Sequence, residues 1–388
     1  MPLLTHIPQL LEEHFEELSF LLHFRSLQVG SPRMLYRQLI DLDDRIEGHI
    51  AGLLAVPGEA AALAQPLLAG KDPLDLRAAA FLLLHLDPQS FAEKIVARLA
   101  AGEPPLAPPL AAALVDALLM APAPQALAAL KPLLKTPASL SAAQAAEVLA
   151  QHSPRDVNAP LLAALLTQPD PAARTLAWQA AQRLPEARPV AQYRAGIADP
   201  HPAVRDAALL AAAWTAGPAV PLLDSCRPFL KKMTPENGVP LRLWATLAPP
   251  QELAASDLPK AIPLGPVRFE LLACSGAPAI IPHLLAGMRQ DPPSASAAAN
   301  AFTRLTGYQP PDADAAQRYW QGLEPQLAGA SRIHRGQPIE PGPLAPAALL
   351  EVDCAAREEI LLRQAALSER AKAPSAGSRW LFPQRFPA

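Results

Sequence analysis

The sequence predicts an all-α fold, an α-solenoid of about eight HEAT-like helical hairpins closed by atypical N- and C-terminal caps. Three observations predict it. Asp199-Pro-His-Pro-Ala-Val-Arg-Asp-Ala-Ala208 repeats Gln168-Pro-Asp-Pro-Ala-Ala-Arg-Thr-Leu-Ala177 in the same register, at a period of about 31 residues that suits one helix pair per repeat. Hydrophobic residues make up 51% of the 388-residue chain while aromatics make up only 5%, so the apolar mass is Ala and Leu, which suits closely stacked helices better than sheets. The 47 prolines gather at repeat boundaries such as Pro169, Pro171, Pro200, Pro202, Pro292 and Pro293, where proline ends one helix or opens the next.

Residues 1–65 read as an N-terminal helical cap. Leu10, Leu11, Phe15, Leu18, Leu21 and Leu22 recur at helical spacing with acids opposite, and a second helix follows from about Ile40 to Leu54. The repeat array spans residues 66–307. It opens at Lys71-Asp-Pro-Leu-Asp-Leu-Arg77 and passes through two weaker units near Pro108–Met120 and Ser139–Ala150. The two clear units come next, then Val239-Pro-Leu-Arg242, Gly265-Pro-Val-Arg268 and Asp291-Pro-Pro. In each unit the Asp-Pro turn starts a helix, the apolar residue before the arginine enters the core, and the alanines after it allow close approach. Arg77, Arg174, Arg205, Arg242 and Arg268 are structural positions, each expected to reach an acid or carbonyl of the neighbouring unit. Val204 is expected in the core.

Residues 308–371 read as a C-terminal helical cap with a proline-rich connection at Pro338, Pro341, Pro343 and Pro346, and Tyr308, Tyr319 and Trp320 are expected to cover the last apolar face. Residues 372–388 form a basic, aromatic tail. Its Arg379, Trp380, Phe382, Arg385 and Phe386 have the composition of an interface hot spot and are the candidate partner-binding residues. Two destinations stay open for this tail, its own last helices or a partner.

The net charge of −3 removes the basic footprint of a general nucleic-acid binder. Charge is unevenly spread, with nine acids against four bases in residues 1–60 and six bases against three acids in residues 355–388. Cys226, Cys274 and Cys354 are widely spaced and odd in number, fit no metal or redox pattern, and predict a reducing, cytoplasmic compartment. The early glutamates Glu12, Glu13, Glu16 and Glu17 interrupt any signal peptide, and no apolar run is long enough to insert in a membrane. No phosphate loop, dinucleotide turn, paired-histidine zinc motif or nucleophile elbow is legible. Asp43, Asp44, Glu47 and His49 form an acidic helix cluster read as a solvated face. Trp178, Trp214 and Trp244 fall at different offsets from their arginines, so they read as core rather than as a stacking ladder for bases.

Leu11-Glu-Glu-His14 to Phe20, Leu42-Asp-Asp-Arg-Ile-Glu-Gly-His-Ile-Ala-Gly-Leu53, Asn300-Ala-Phe-Thr-Arg-Leu-Thr-Gly307, Tyr319-Trp320 and the closing basic helix together resemble a family of proteobacterial HEAT-repeat proteins without an assigned function. Members are often encoded beside type VI secretion spike components and their toxins. The resemblance covers nearly the whole chain and implies an adaptor that helps load a secretion effector or spike component. It brings no catalytic residues. The chain lacks the long acidic insertion expected in that family after Thr306-Gly307. The expected function is therefore a non-catalytic protein-binding scaffold with no cofactor, no metal, no nucleic acid and no membrane insertion. The alternatives are a HEAT-like DNA-binding or base-excision protein, which needs a basic groove and a central carboxylate, and a HEAT-type bilin lyase, which needs a pocket with perturbed titratable groups.

Overall fold

A computed structural model describes residues 7–100, 106–121, 124–136, 139–184, 189–339 and 346–367. These residues form an all-α protein of 21 α-helices linked by short 3-10 turns, with one two-residue antiparallel pair, Ile333–His334 against Gln337–Pro338, as the strands among them. The chain divides into two compact units, and the division in sequence falls between residues 187 and 188.

The first unit opens with α1 (Ile7–Gln28), α2 (Tyr36–Leu54) and α3 (Pro57–Ala64). Helices α1 and α2 pack together through the stripe Leu11, Phe15, Leu18 and Leu22, all buried, at the i, i+4, i+7, i+11 spacing of one helix face. Leu10, expected with them, is 53% exposed, because it stands one residue, about 100°, off that stripe. Arg25 donates to Asp43 at 2.6 Å where both are buried, which fixes the two helices against each other. Burial raises the Asp43 carboxyl above its ordinary range despite that arginine.

Then come α4 (Pro73–Leu86), α5 (Pro88–Ala100), α6 (Pro108–Met120), α7 (Pro124–Leu130), α8 (Leu140–His152), α9 (Ala159–Leu166) and α10 (Pro171–Arg183). Helices α4, α6, α8 and α10 pack in series, each on the next, and α5, α7 and α9 pack beside them. Leu76 to Leu84 and Ala142 to Ala150 are buried at every position. Such stretches are buried all round rather than on one face, with Arg77, Gln144 and Glu147 among the apolar residues, and their alanines allow neighbours on several sides.

Their starts are set by local chemistry. Asp72 accepts from Leu74 N at 2.7 Å and Asp75 N at 3.2 Å, Asp170 accepts from Ala172 N at 2.9 Å, and Ser139 accepts from Ala142 N at 3.1 Å. Each satisfies amide groups that the first turn leaves free.

The second unit holds α11 (Val190–Ile197), α12 (Pro202–Thr215), α13 (Leu222–Cys226), α14 (Gly238–Leu247), α15 (Pro250–Ala255), α16 (Val267–Cys274), α17 (Ile281–Gly287), α18 (Pro292–Thr306), α19 (Ala313–Leu323), α20 (Pro346–Leu350) and α21 (Cys354–Leu367). Here α12, α14, α16 and α18 pack in series. At Gly287 a Cβ would lie 2.4 Å from the Phe269 ring and 2.9 Å from the Ala298 Cβ, so glycine permits α16, α17 and α18 to meet. Gly307 ends α18 at φ +76, a left-handed conformation that glycine adopts without steric cost.

Helix α19 packs on α17 and α18, with Trp320 buried and Tyr308 stacked on Tyr319 at 4.2 Å. The chain then turns back across the unit instead of ending there. Ile333 N donates to Gly276 O at 2.7 Å, Arg335 N to Arg304 O at 3.1 Å and Gly336 N to Leu305 O at 2.8 Å. Helix α21 packs on α12 and α14.

Candidate functional site

Two assemblies stand out from the packed helices. One is an exposed face on α1, the other a buried ionic cluster beneath α21. On α1, Phe20 is 58% and Leu27 60% exposed, and Phe20 stacks on Phe24 with centroids 5.9 Å apart. These three occupy positions i, i+4 and i+7, a single stripe on the side away from the Leu11–Leu18–Leu22 face. Exposed Glu12, Glu13, Glu16 and Glu17 precede them on the same helix. The helix that carries this exposed apolar stripe and its acids is held to α2 by the buried Arg25–Asp43 pair. Nearby, His14 Nδ1 and His49 Nδ1 lie 3.0 Å apart between α1 and α2. Burial and the neighbouring His14 charge lower the His49 pKa, and the ring nitrogens serve each other as donor and acceptor.

In the second unit Arg304, on the last turn of α18, donates to two carboxylates, Asp353 just before α21 and Glu359 within it. It reaches Asp353 at 3.1 and 3.2 Å and Glu359 at 2.8 and 3.4 Å. All three side chains are under 10% exposed. Asp353 also caps α21 by accepting from Ala356 N at 2.7 Å. His334 Nε2 accepts from Asp353 N at 3.4 Å, which requires a neutral imidazole, and burial drives its pKa down to about 4 even beside Asp353.

Two further arginines of the returning segment donate to helix-end carbonyls. Arg363 reaches Thr246 O at 2.9 Å and Cys274 O at 3.4 Å, while Arg332 reaches Ala248 O at 2.9 Å and Ser275 O. Those carbonyls close α14 and α16, where the last turn leaves acceptors free and the helix dipole favours a cation. Cys274 is buried in this cluster and its thiol is pushed up to about 12 by desolvation, as is that of Cys226. Neither is a ready nucleophile. The chemistry of the cluster is that of a clasp binding the closing helix to α14, α16 and α18.

The repeat arginines do not form one uniform ladder. Arg77 spans to Asp116 of the next long helix at 3.5 Å, as expected. Arg174 instead bends back to the carbonyls of Gln168 and Pro169, at 2.7 and 2.8 Å. Arg205 donates to Asp206 at 2.8 Å and lies over the Phe229 ring. Arg242 faces Glu359 at 3.6 Å and is half exposed. Arg268 donates to Gly265 O and Gln290 and covers Phe269. A guanidinium fork takes whichever acceptor its own turn supplies, and the turns differ between units. Val204 is fully buried.

Arg379, Trp380, Phe382, Arg385 and Phe386 lie outside the described residues. Among the described residues, no three metal-ligating side chains converge, and no single helix is long and apolar enough to cross a membrane. No family model matches the chain and no curated protein matches it.

Sequence reading missed the Arg304–Asp353–Glu359 cluster. Asp353 before an apolar run was legible as a helix cap, but a partner 49 residues away leaves no local signal.

Proposed function

We propose that the chain is a non-catalytic, cytoplasmic scaffold, an α-solenoid of HEAT-like hairpins that captures a protein partner on exposed helix faces. The serial packing of α4, α6, α8 and α10, and of α12, α14, α16 and α18, supports the repeat architecture. Long helices consumed by packing leave function to the surfaces around them. The observation that carries the reading is the α1 stripe of Phe20, Phe24 and Leu27 with its four preceding glutamates. Its chemistry fits a basic, apolar segment of another protein, with charge steering the approach and the aromatics supplying contact area. The tail residues Arg379, Trp380, Phe382, Arg385 and Phe386 are proposed as a second contact. By the family resemblance, the partner class is a secretion effector or spike component.

Partners retained from the native cell are purified and rebound one to one to the purified chain. The double variant Phe20→Asp/Leu27→Asp, at exposed positions, keeps the wild-type melting temperature and loses at least tenfold in affinity. Rebinding that fails, or that is equally tight with the variant, overturns the proposal for α1. Deleting residues 379–388 tests the tail in the same assay.

A further inference from the structure

A groove of about 450 Å³ lies in the first unit, lined by Gln65, Leu68, Ala69, Phe91, Lys94 and Arg98. One wall is the 3-10 turn Gln65–Ala69 that continues α3, the other is α5. It is open to solvent rather than an enclosed cavity. Phe91, Lys94 and Arg98 stand at i, i+3 and i+7, so one face of α5 carries an aromatic ring and two cations into the same space.

Arg98 is the decisive group. Its Nη2 donates to Gly70 O at 2.7 Å, which anchors the guanidinium at the end of the turn. Its Nη1 is shielded from water and has no hydrogen-bond partner among the described residues. Desolvation lowers its pKa. Arg77, Arg205, Arg242 and Arg304 sit beside a carboxylate, whereas Arg98, like Arg332 and Arg363, donates to a backbone carbonyl and meets no carboxylate among the described residues. Lys94 is exposed, with its ammonium 5.0 Å from the Phe91 centroid, and adds a second positive charge. A desolvated donor without an acceptor is costly, and an oxyanion entering the groove would satisfy it. The planar fork matches a carboxylate, while Leu68, Ala69 and Phe91 offer apolar contact to what carries it.

We propose that this groove binds a carboxylate borne on a short apolar or aromatic stem, held by Arg98 with Lys94 as the second charge. The site stands whether or not α1 binds a partner. Such a group can come from a free small acid or from an acidic side chain next to an apolar one in a peptide.

The full-length chain is titrated calorimetrically with 3-phenylpropionate, with its neutral analogue 3-phenylpropanamide, and with a blocked Ala-Phe-Glu-Ala peptide. Saturable one-to-one binding of an acidic probe is expected, at least tenfold tighter than the amide and weakening as salt rises. Arg98→Gln should reduce it tenfold or more. Lys94→Gln, a change at an exposed position, should reduce it severalfold and answers the question if the Arg98 variant is unstable. Tighter binding of the peptide assigns the source as a protein segment; tighter binding of the free acid assigns a small molecule. Equal binding of acid and amide, affinity unchanged in both variants, or no saturation by about 10 mM overturns the proposal.

Discussion

Replacing Arg304 with methionine should be among the most damaging single changes in the second unit. Methionine fills much of the same length, so packing is largely kept and the loss isolates the charge. Asp353 and Glu359 are then left as two buried carboxylates, 5% and 8% exposed at the side chain. Asp353 retains its bond from Ala356 N, and Glu359 retains the longer approach of Arg242 at 3.6 Å and its contact with the Cys274 thiol. Removing one partner of a buried ion pair costs about 3–5 kcal/mol, chiefly through the uncompensated charge. In a unit of this size that corresponds to roughly 10 °C in melting temperature. Urea unfolding followed by tryptophan fluorescence reads it, since Trp244 and Trp320 are buried in this unit. The triple variant Arg304→Met/Asp353→Asn/Glu359→Met removes all the charges while keeping a capping oxygen at position 353. It should recover most of the loss. A single variant within about 1 kcal/mol of wild type would refute the view that this cluster clasps α21 to the unit.

His334 supplies a pH dependence. Its folded pKa of about 4 lies below the 6.5 of an unfolded histidine, so the unfolded chain binds the extra proton between those values. This contribution is full above pH 6.5 and is lost as pH falls toward 4. It amounts to about 3 kcal/mol, and His334→Gln should remove it from urea midpoints compared across that window. Val204→Asp buries an unpaired carboxylate at a fully enclosed site of α12 and should cost roughly 3 kcal/mol or more in the same assay; an unchanged midpoint would refute the repeat register. Gly287→Ala forces a methyl onto Phe269 and Ala298 and should cost about 1–3 kcal/mol by overpacking.

What the sequence made legible is what local chemistry determines. Asp72, Ser139, Asp170 and Asp291 each start a helix by capping, and each precedes or opens a run that reads as apolar. Helices α4, α6, α10, α12 and α18 each begin at a proline of the turns read in the sequence. The register placed Val204 in the core but did not give the arginines their partners. Arg77 and Arg174 hold the same motif position, yet one crosses to Asp116 and the other turns to its own loop, because the reach of a long side chain is settled by tertiary neighbours. Leu10 was misplaced by one residue of helical phase. The return of residues 331–339 and 346–367 over α18, α16 and α14 rests on Arg332, Arg363 and Asp353 finding groups 49 to 117 residues away, which no periodicity encodes. The Arg98 groove escaped notice for the opposite reason. What marks it is a missing partner, and a sequence shows which charges exist without showing which are left unpaired.

Hydrogen–deuterium exchange on the purified full-length chain tests most directly the claim that serial packing of the long helices is the core and leaves the remaining faces to function. Amides within Leu76–Leu84, Ala142–Ala150 and Ala207–Thr215 should open only with their whole unit and exchange slowest, while α1 around Phe20–Leu27 and the short helices α7, α9 and α13 exchange faster. Equal protection in long and short helices, or the slowest exchange in the short ones, would contradict the account.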